Sequence, residues 1–223
     1  MKQMPKFAVI LSGCGRADGS EIHEATLALL AIDNNACTYQ IFAPDIMQAS
    51  TINHLTSQEQ KEKRNVLEES ARIARGNISA LSSLNINDFD CILLPGGLGA
   101  ITNWCNFNSK GLECDVNQNI QKVLEEAYKN KKVIGAMCIA PVLVAKVLGK
   151  NKITLTIGND KNVKEIIQET GAIHEDTEAT LACVDSKNLI VTTPAYMLAT
   201  SIKEVATGAD NMVLAMKELV TRS

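Results

Sequence analysis

The 223-residue sequence is poor in histidine and aromatic residues and has no excess of basic charge. With 4% aromatic residues and a formal net charge of −3, it lacks the basic surface and stacking side chains of nucleic-acid-binding proteins. No stretch approaches the ~18 apolar residues of a membrane span. The first residues also lack the pattern of a secretory signal. We therefore expect neither a nucleic-acid nor a membrane partner.

Paired metal-binding cysteines are also missing, although cysteine itself is abundant. The seven cysteines are an odd number, which excludes complete intramolecular pairing. No two of them lie closer than nine residues, so the sequence has no CxxC pair of the kind that holds zinc or a cluster. These features predict free thiols, no metal site and a reducing, cytoplasmic location.

Short apolar segments alternate with amphipathic ones along the chain. Predicted strands cover residues 7–11, 38–43, 90–94, 133–137, 153–156, 181–185 and 189–193. Predicted helices begin after an N-cap at Ser20, cover residues 65–74, 117–130, 141–148 and 163–169, and end the chain from about residue 202. The polar stretch 44–64 is interpreted as an irregular excursion. Strands that are apolar throughout indicate an α/β fold whose mostly parallel sheet is covered on both faces, with residues 1–223 forming a single domain.

The loops that follow the strands are the places to search for a site, because ligands of open α/β sheets bind at the carboxyl ends of the strands. Cys138 lies between a buried strand and a predicted helix start, which is the position of a nucleophile elbow. A helix N-terminus and nearby N–H groups favour a thiolate there. A packed core cysteine is the alternative, and it is our interpretation of Cys37, Cys91 and Cys183.

Characteristic segments extend over nearly the whole chain, including LSGCG at 11–15, DGSEIHE at 18–24, LPGG at 94–97, MCIAP at 137–141 and VTTPAYM at 191–197. Together they resemble the isoprenoid-biosynthesis glyoxalase family, a branch of the class I glutamine-amidotransferase-like superfamily that includes the PfpI-type proteases. The resemblance implies a flavodoxin-like three-layer sandwich with a strand–Cys–helix elbow. It also implies a homodimer and a cofactor-free glyoxalase that converts glyoxal, a small α-oxoaldehyde, to glycolate.

The resemblance gives roles to individual residues. Cys138 would attack an aldehyde carbon to form a hemithioacetal, assisted by a protonated Glu21, with Glu24 as the alternative one helical turn later. The main-chain N–H groups of Gly97 and Ile139 would be the oxyanion donors.

Gly96, Cys14 and Tyr196 are further predicted pocket residues, although core packing accounts for Tyr196 equally well. The loop at 156–160 has no histidine where many superfamily relatives carry one. His23 and His174 are weak substitutes, so a Cys–carboxyl pair is the better hypothesis.

Two other functions remain open at this point. Cys138 could act as a reversibly oxidised sensor in a regulatory protein. The same cysteine could also serve a deglycase or hydrolase acting on modified macromolecules. The width of the pocket would separate small substrates from large ones.

Overall fold

The chain folds around a seven-stranded sheet, as seen in a computed structural model that describes residues 4–222. The strands are β1 Lys6–Ile10, β2 Thr38–Ala43, β3 Thr51–Asn53, β4 Gln58–Gln60, β5 Ser79–Ala80, β6 Cys91–Leu94, β7 Val133–Met137, β8 Thr154–Leu155, β9 Ile173–His174, β10 Cys183–Asp185 and β11 Ile190–Thr193. The helices are α1 Ile22–Asn34, α2 Val66–Ile73, α3 Gly99–Thr102, α4 Phe107–Lys110, α5 Gln118–Lys129, α6 Ala140–Leu148, α7 Lys161–Glu169 and α8 Ile202–Arg222.

The order of strands in the main sheet is β10-β11-β7-β6-β1-β2-β5. Neighbouring strands are parallel except at one edge, where β10 runs antiparallel to β11. The carboxyl ends of β11, β7, β6 and β1 therefore lie side by side. This arrangement confirms the predicted α/β class with a mostly parallel sheet.

Helices cover both faces of the sheet and make three layers. Helix α8 packs against α1, β7 and β11, whereas α5 packs against α6 and β7. Every residue of β6 and β7 is buried, as expected for strands with a helical layer on each side.

Three local features differ from the sequence predictions. The stretch 44–64 contains a hairpin, β3–β4, whose exposed polar strands carry little hydrophobic signal. The predicted strand at 153–156 forms β8, which pairs with β9 outside the main sheet. The N-cap of α1 is Glu21 instead of Ser20, because the Ser20 hydroxyl accepts the Ser12 N–H at 2.8 Å.

Two structural features are absent from residues 4–222. Within that range no helix combines the length and apolar character needed to cross a bilayer. The same residues contain no group of three or more His, Cys, Asp or Glu side chains arranged to hold a metal ion.

Candidate active site

Cys138 lies at a sharp turn between β7 and α6. Its φ of 59° is in the left-handed region, which costs a residue with a side chain about 1–3 kcal/mol. The Cys138 N–H donates to the Thr193 carbonyl at 3.0 Å, so the turn is tied to the end of β11. Helix α6 begins two residues later, at Ala140. The backbone thus has the strand–Cys–helix geometry that the sequence predicted.

The carboxyl group beside the sulfur belongs to Glu24, on the first turn of α1. The side chains of Glu24 and Cys138 interact directly, and each changes the pKa of the other. Glu24 Oε1 accepts the Tyr196 N–H at 3.1 Å. Its Oε2 is buried and has no well-aligned hydrogen bond among the described residues. The carboxyl that contacts the sulfur is therefore that of Glu24, the alternative one helical turn later, and not that of Glu21, which we expected there.

Glu21 serves as the N-cap of α1. Its Oε2 accepts the Glu24 N–H at 2.8 Å, and its own N–H donates to the Gly96 carbonyl at 2.9 Å. Because the side chain is engaged in capping, Glu21 fixes the start of the helix that carries Glu24. Glu21 also borders the pocket over Cys138. The carboxyl that contacts the sulfur is that of Glu24.

The glycine loop after β6 must lack side chains at two positions. A Cβ on Gly96 would lie 2.4 Å from both the Cys138 Cβ and Glu24 Oε2. Gly97 has a φ of 100°, and a Cβ there would lie 2.3 Å from the Glu21 nitrogen. Glycine at both positions lets the loop approach the elbow closely, so that its main-chain N–H groups can face the sulfur.

Burial dominates the electrostatics of the Glu24–Cys138 pair. Desolvation raises the pKa of Glu24 to about 7, and the interactions with Tyr196 and Cys138 only partly oppose it. Desolvation, followed by the charge of Glu24, raises the pKa of the Cys138 thiol well above its ordinary value. The N–H groups of Gly97 and Ile139 act in the opposite direction. A protonated Glu24 removes the neighbouring negative charge and leaves an O–H that can donate to a thiolate.

A pocket of about 310 Å³ opens above Cys138. Its apolar lining comes from Leu98, Ile101, Ile139 and Met197, and its polar lining from Arg16, Glu21, Cys138 and Tyr196. Arg16 is exposed, and its side chain has no ion pair with another residue that the structure describes. The sequence patterns did not single out this arginine, although its place in the glycine-rich loop after β1 was an available signal.

The other predicted site residues divide between the pocket and its surroundings. Gly97, Ile139 and Tyr196 line the pocket, and Gly96 lies behind the Cys138–Glu24 contact. Cys14 is not part of this lining. The main chain of Cys14 forms an isolated β-bridge with Ser20. Burial, together with the charge of Glu69, raises the pKa of the Cys14 thiol. Cys14, which we expected to be a pocket residue, therefore lies outside the pocket lining.

The remaining histidine and cysteine candidates lie away from the sulfur. His174 Nε2 accepts the Ile157 N–H at 3.3 Å, and its Nδ1 lies 3.3 Å from Asp176. His23 does not contact the sulfur, but its Nδ1 lies 2.8 Å from the Tyr196 hydroxyl at the pocket. Cys37, Cys91 and Cys183 are buried thiols, as expected for core positions.

A three-layer fold with a mostly parallel sheet and a cysteine elbow at its carboxyl end is the architecture of the class I glutamine amidotransferase-like proteins. A model of the DJ-1/PfpI family matches residues 77–204 of this chain. The chain is 42% identical over 224 residues to the human glutamine amidotransferase-like class 1 domain-containing protein 3, mitochondrial, with 96% of this chain and 83% of the relative covered. The chain therefore belongs to the DJ-1/PfpI family.

Two further comparisons give the same relationship. The rat ES1 protein homolog, mitochondrial, is 41% identical over 224 residues, covering 96% of this chain and 84% of the relative. The crystal structure of an isoprenoid biosynthesis protein with an amidotransferase-like domain from Ehrlichia chaffeensis has 35% identity and a TM-score of 0.91, covering 96% of this chain and 99% of that one. These findings confirm the resemblance to the class I glutamine-amidotransferase-like superfamily.

The relatives also overturn the expected location. Both the human and the rat relative are named as mitochondrial proteins, which contradicts a cytoplasmic assignment. The reason lies in what cysteine usage can report: unpaired thiols indicate a reducing environment and do not distinguish one reducing compartment from another.

Proposed function

We propose that this protein is a cofactor-independent enzyme that converts small α-oxoaldehydes to hydroxy acids, with glyoxal and glycolate as the simplest pair. The observation that carries the proposal is the contact between Cys138 and the buried carboxyl of Glu24. A nucleophile beside an acid–base group is the arrangement that covalent catalysis with proton transfer requires.

The first step forms the carbon–sulfur bond. Glu24 accepts the thiol proton while Cys138 Sγ bonds to C1 of glyoxal, and the carbonyl electron pair moves to the C1 oxygen. The N–H groups of Gly97 and Ile139, which already stabilise negative charge on the sulfur, are available to this oxyanion. Glu24 then returns the proton to the oxygen, which gives a neutral hemithioacetal.

The second step moves hydrogen from C1 to C2. The Glu24 carboxylate removes the C1 proton, and the C2 carbonyl oxygen gains a proton, so that an enediol forms. Glu24 then delivers its proton to C2 while the C1 hydroxyl loses one, and the product is a thioester of Cys138. Water hydrolyses the thioester to glycolate and restores the thiol. Overall, glyoxal and one water give glycolate, with no external oxidant or reductant.

The size of the pocket supports a small substrate. Its volume of about 310 Å³ is at the lower end of the usual range for ligand sites, ~300–1,000 Å³. A folded macromolecule could enter only through a single side chain. The volume therefore accommodates a small aldehyde, whereas a deglycase substrate would have to present one modified side chain to the same pocket.

Conversion of ¹³C-labelled glyoxal, followed by NMR without added thiol, tests the proposal. We expect glycolate to accumulate with the wild type and to be lost with Cys138→Ser and with Glu24→Gln. Cys14→Ser is the matched control, because it makes the same substitution at a cysteine that lies outside the pocket lining. Unchanged turnover in Cys138→Ser would exclude the proposal.

A second candidate is reversible oxidation of Cys138 in a regulatory protein. The N–H groups of Gly97 and Ile139, which oppose the rise in the thiol pKa, would also stabilise a sulfenate oxygen. Intact-mass analysis after mild peroxide treatment would then find one oxygen on Cys138 and none on Cys14. An unmodified Cys138 under conditions that oxidise other thiols would eliminate this candidate.

A further inference from the structure

A second pair of proton-transfer groups lies at the same pocket. The Tyr196 hydroxyl and His23 Nδ1 are 2.8 Å apart, and the two rings are tilted by 48° with their centroids 5.9 Å apart. Tyr196 lines the pocket together with Cys138, whereas His23 lies behind it on the exposed side of α1. The hydrogen bond between these two side chains involves neither Glu24 nor Cys138.

The backbone holds Tyr196 in a fixed position relative to the sulfur. Tyr196 lies in the short 3-10 turn Ala195–Met197, where Ala195 has a φ of 44°. The Tyr196 N–H donates to Glu24 Oε1, and the Thr193 carbonyl just before the turn accepts the Cys138 N–H. The main chain around Tyr196 thus contacts both members of the reactive pair.

The proposed reaction requires a second acid–base group, because Glu24 serves C1 and the C2 oxygen must gain a proton at the same time. The polar lining offers few choices. The guanidinium of Arg16 carries N–H donors and no O–H group, and the Glu21 carboxyl accepts the α1 N-cap hydrogen bond. The Tyr196 hydroxyl is the remaining O–H group among the described lining residues.

We propose that Tyr196 is a catalytic acid–base residue for the C2 oxygen and that His23 is its positioning residue. The inference rests on the proposed function. Tyr196 donates its proton to the C2 oxygen as Glu24 removes the C1 proton. The phenolate then accepts the proton of the C1 hydroxyl as Glu24 delivers its own to C2, so both groups return to their starting states. The His23 Nδ1–H, in the tautomer this role assigns, donates to the phenolate oxygen.

The charges around Tyr196 agree with this order of events. Burial raises the pKa of Tyr196, and the charges of Glu21 and Glu24 raise it further. The titratable side chain that contacts the Tyr196 hydroxyl is His23. The phenol therefore enters the cycle protonated and acts first as a donor. The phenolate exists only while Glu24 is protonated, which removes one of the two negative charges that act on Tyr196.

The test measures adduct formation and turnover separately with ¹³C-labelled glyoxal. We expect Tyr196→Phe to form the Cys138 hemithioacetal, seen by NMR and by intact mass, and to lose at least about 10²-fold in kcat. Tyr39→Phe, on β2 outside the pocket, is the matched control and should keep full activity. His23→Ala should lower kcat more than it changes KM, and His23→Asn, which retains an N–H near the Nδ1 position, should restore part of it.

A replacement that keeps the ring in place protects the test against loss of folding. Incorporation of 3-fluorotyrosine lowers the phenol pKa, so the alkaline limit of kcat should move to lower pH in the wild type and stay unchanged in Tyr196→Phe.

Full turnover in Tyr196→Phe, together with an inactive Cys138→Ser, would overturn this inference and leave the proposed function standing. Turnover in Cys138→Ser would overturn both. A Tyr196→Phe variant that folds but forms no adduct would overturn the acid–base role.

Discussion

At the scale of the residue, Glu24 combines a stability cost with a chemical use. Its carboxyl is buried, and Oε2 has no well-aligned hydrogen bond among the described residues. Such a group is destabilising when it is charged, because water no longer solvates it. Protonation removes the cost and turns Oε2 into a donor toward Cys138. The same burial that opposes a stable carboxylate therefore places its pKa near neutrality, where an acid–base catalyst works best.

The stability of a Glu24→Gln variant should reveal this cost. Burial raises the pKa of Glu24 in the folded state from 4.5 to about 7, so the folded state binds the proton more tightly than the unfolded chain does. The resulting stability is complete below pH 4.5 and is lost as the pH rises through about 7. The variant has no such loss.

We therefore expect the free energy of unfolding of Glu24→Gln, relative to the wild type, to increase by about 3 kcal/mol between pH 4 and pH 8. Urea denaturation across this range measures the difference, and any constant effect of the amide on packing cancels in the comparison. A difference that does not change with pH would contradict the assignment of a raised pKa to Glu24.

At the scale of the element, the start of α1 decides which carboxyl reaches the sulfur. Glu21 caps the helix through the Glu24 N–H, and Glu24 then projects toward Cys138. The sequence pattern predicted a cap at Ser20, since serine is a common N-cap. The competing use of Ser20, a hydrogen bond to the Ser12 N–H, joins two segments that only the folded chain brings together. The resemblance assigned the acid to Glu21, whereas the cap that Glu21 forms leaves Glu24 as the carboxyl in contact with the sulfur.

Other elements show where sequence patterns are sufficient. The strands β2 and β7 have the predicted bounds, because β7 is an apolar run and β2 follows the turn residues Asn34 and Asn35 and ends in a buried apolar segment. The elbow at Cys138 was predictable for the same reason. The polar hairpin β3–β4 and the pairing of β8 with β9 had no comparable local signal. The Tyr196–His23 contact joins residues 173 positions apart, which a single sequence does not reveal.

Substitution of Glu21 separates capping from catalysis. We expect Glu21→Ala to lose about 1 kcal/mol of unfolding free energy, because the Glu24 N–H loses its acceptor. Glu21→Ser, which restores an N-cap acceptor, should recover most of that loss. Both variants should keep most of the turnover of glyoxal, whereas Glu24→Gln should not. Denaturation and NMR assays on the same preparations provide the comparison. A stable but inactive Glu21→Ser would show that the carboxyl of Glu21 takes part in the chemistry.

At the scale of the whole molecule, the last helix supports the strand that carries the nucleophile. Helix α8 packs on β7, and a Cβ on Gly135 would lie 2.4 Å from Met216 Sδ. One continuous cluster of buried apolar residues joins these elements to the rest of the described chain. This cluster agrees with a single domain over residues 1–223, which stays a prediction, as does the homodimer. Packing at the end of the sequence thus bears directly on the position of Cys138.

The coupling between α8 and the elbow can be measured with Gly135→Ala and Met216→Ala, singly and together. The added methyl group of Gly135→Ala should cost about 1–3 kcal/mol, because Met216 has to move. The cavity left by Met216→Ala should cost about 2–5 kcal/mol. The double variant fills part of this cavity with the new methyl group, so its loss should be smaller than the sum by at least about 0.5 kcal/mol. Gly135→Ala should also lower the turnover of glyoxal, since β7 ends next to Cys138, and Met216→Ala should partly restore it. Strict additivity of the unfolding free energies would show that α8 and β7 relax independently at this contact.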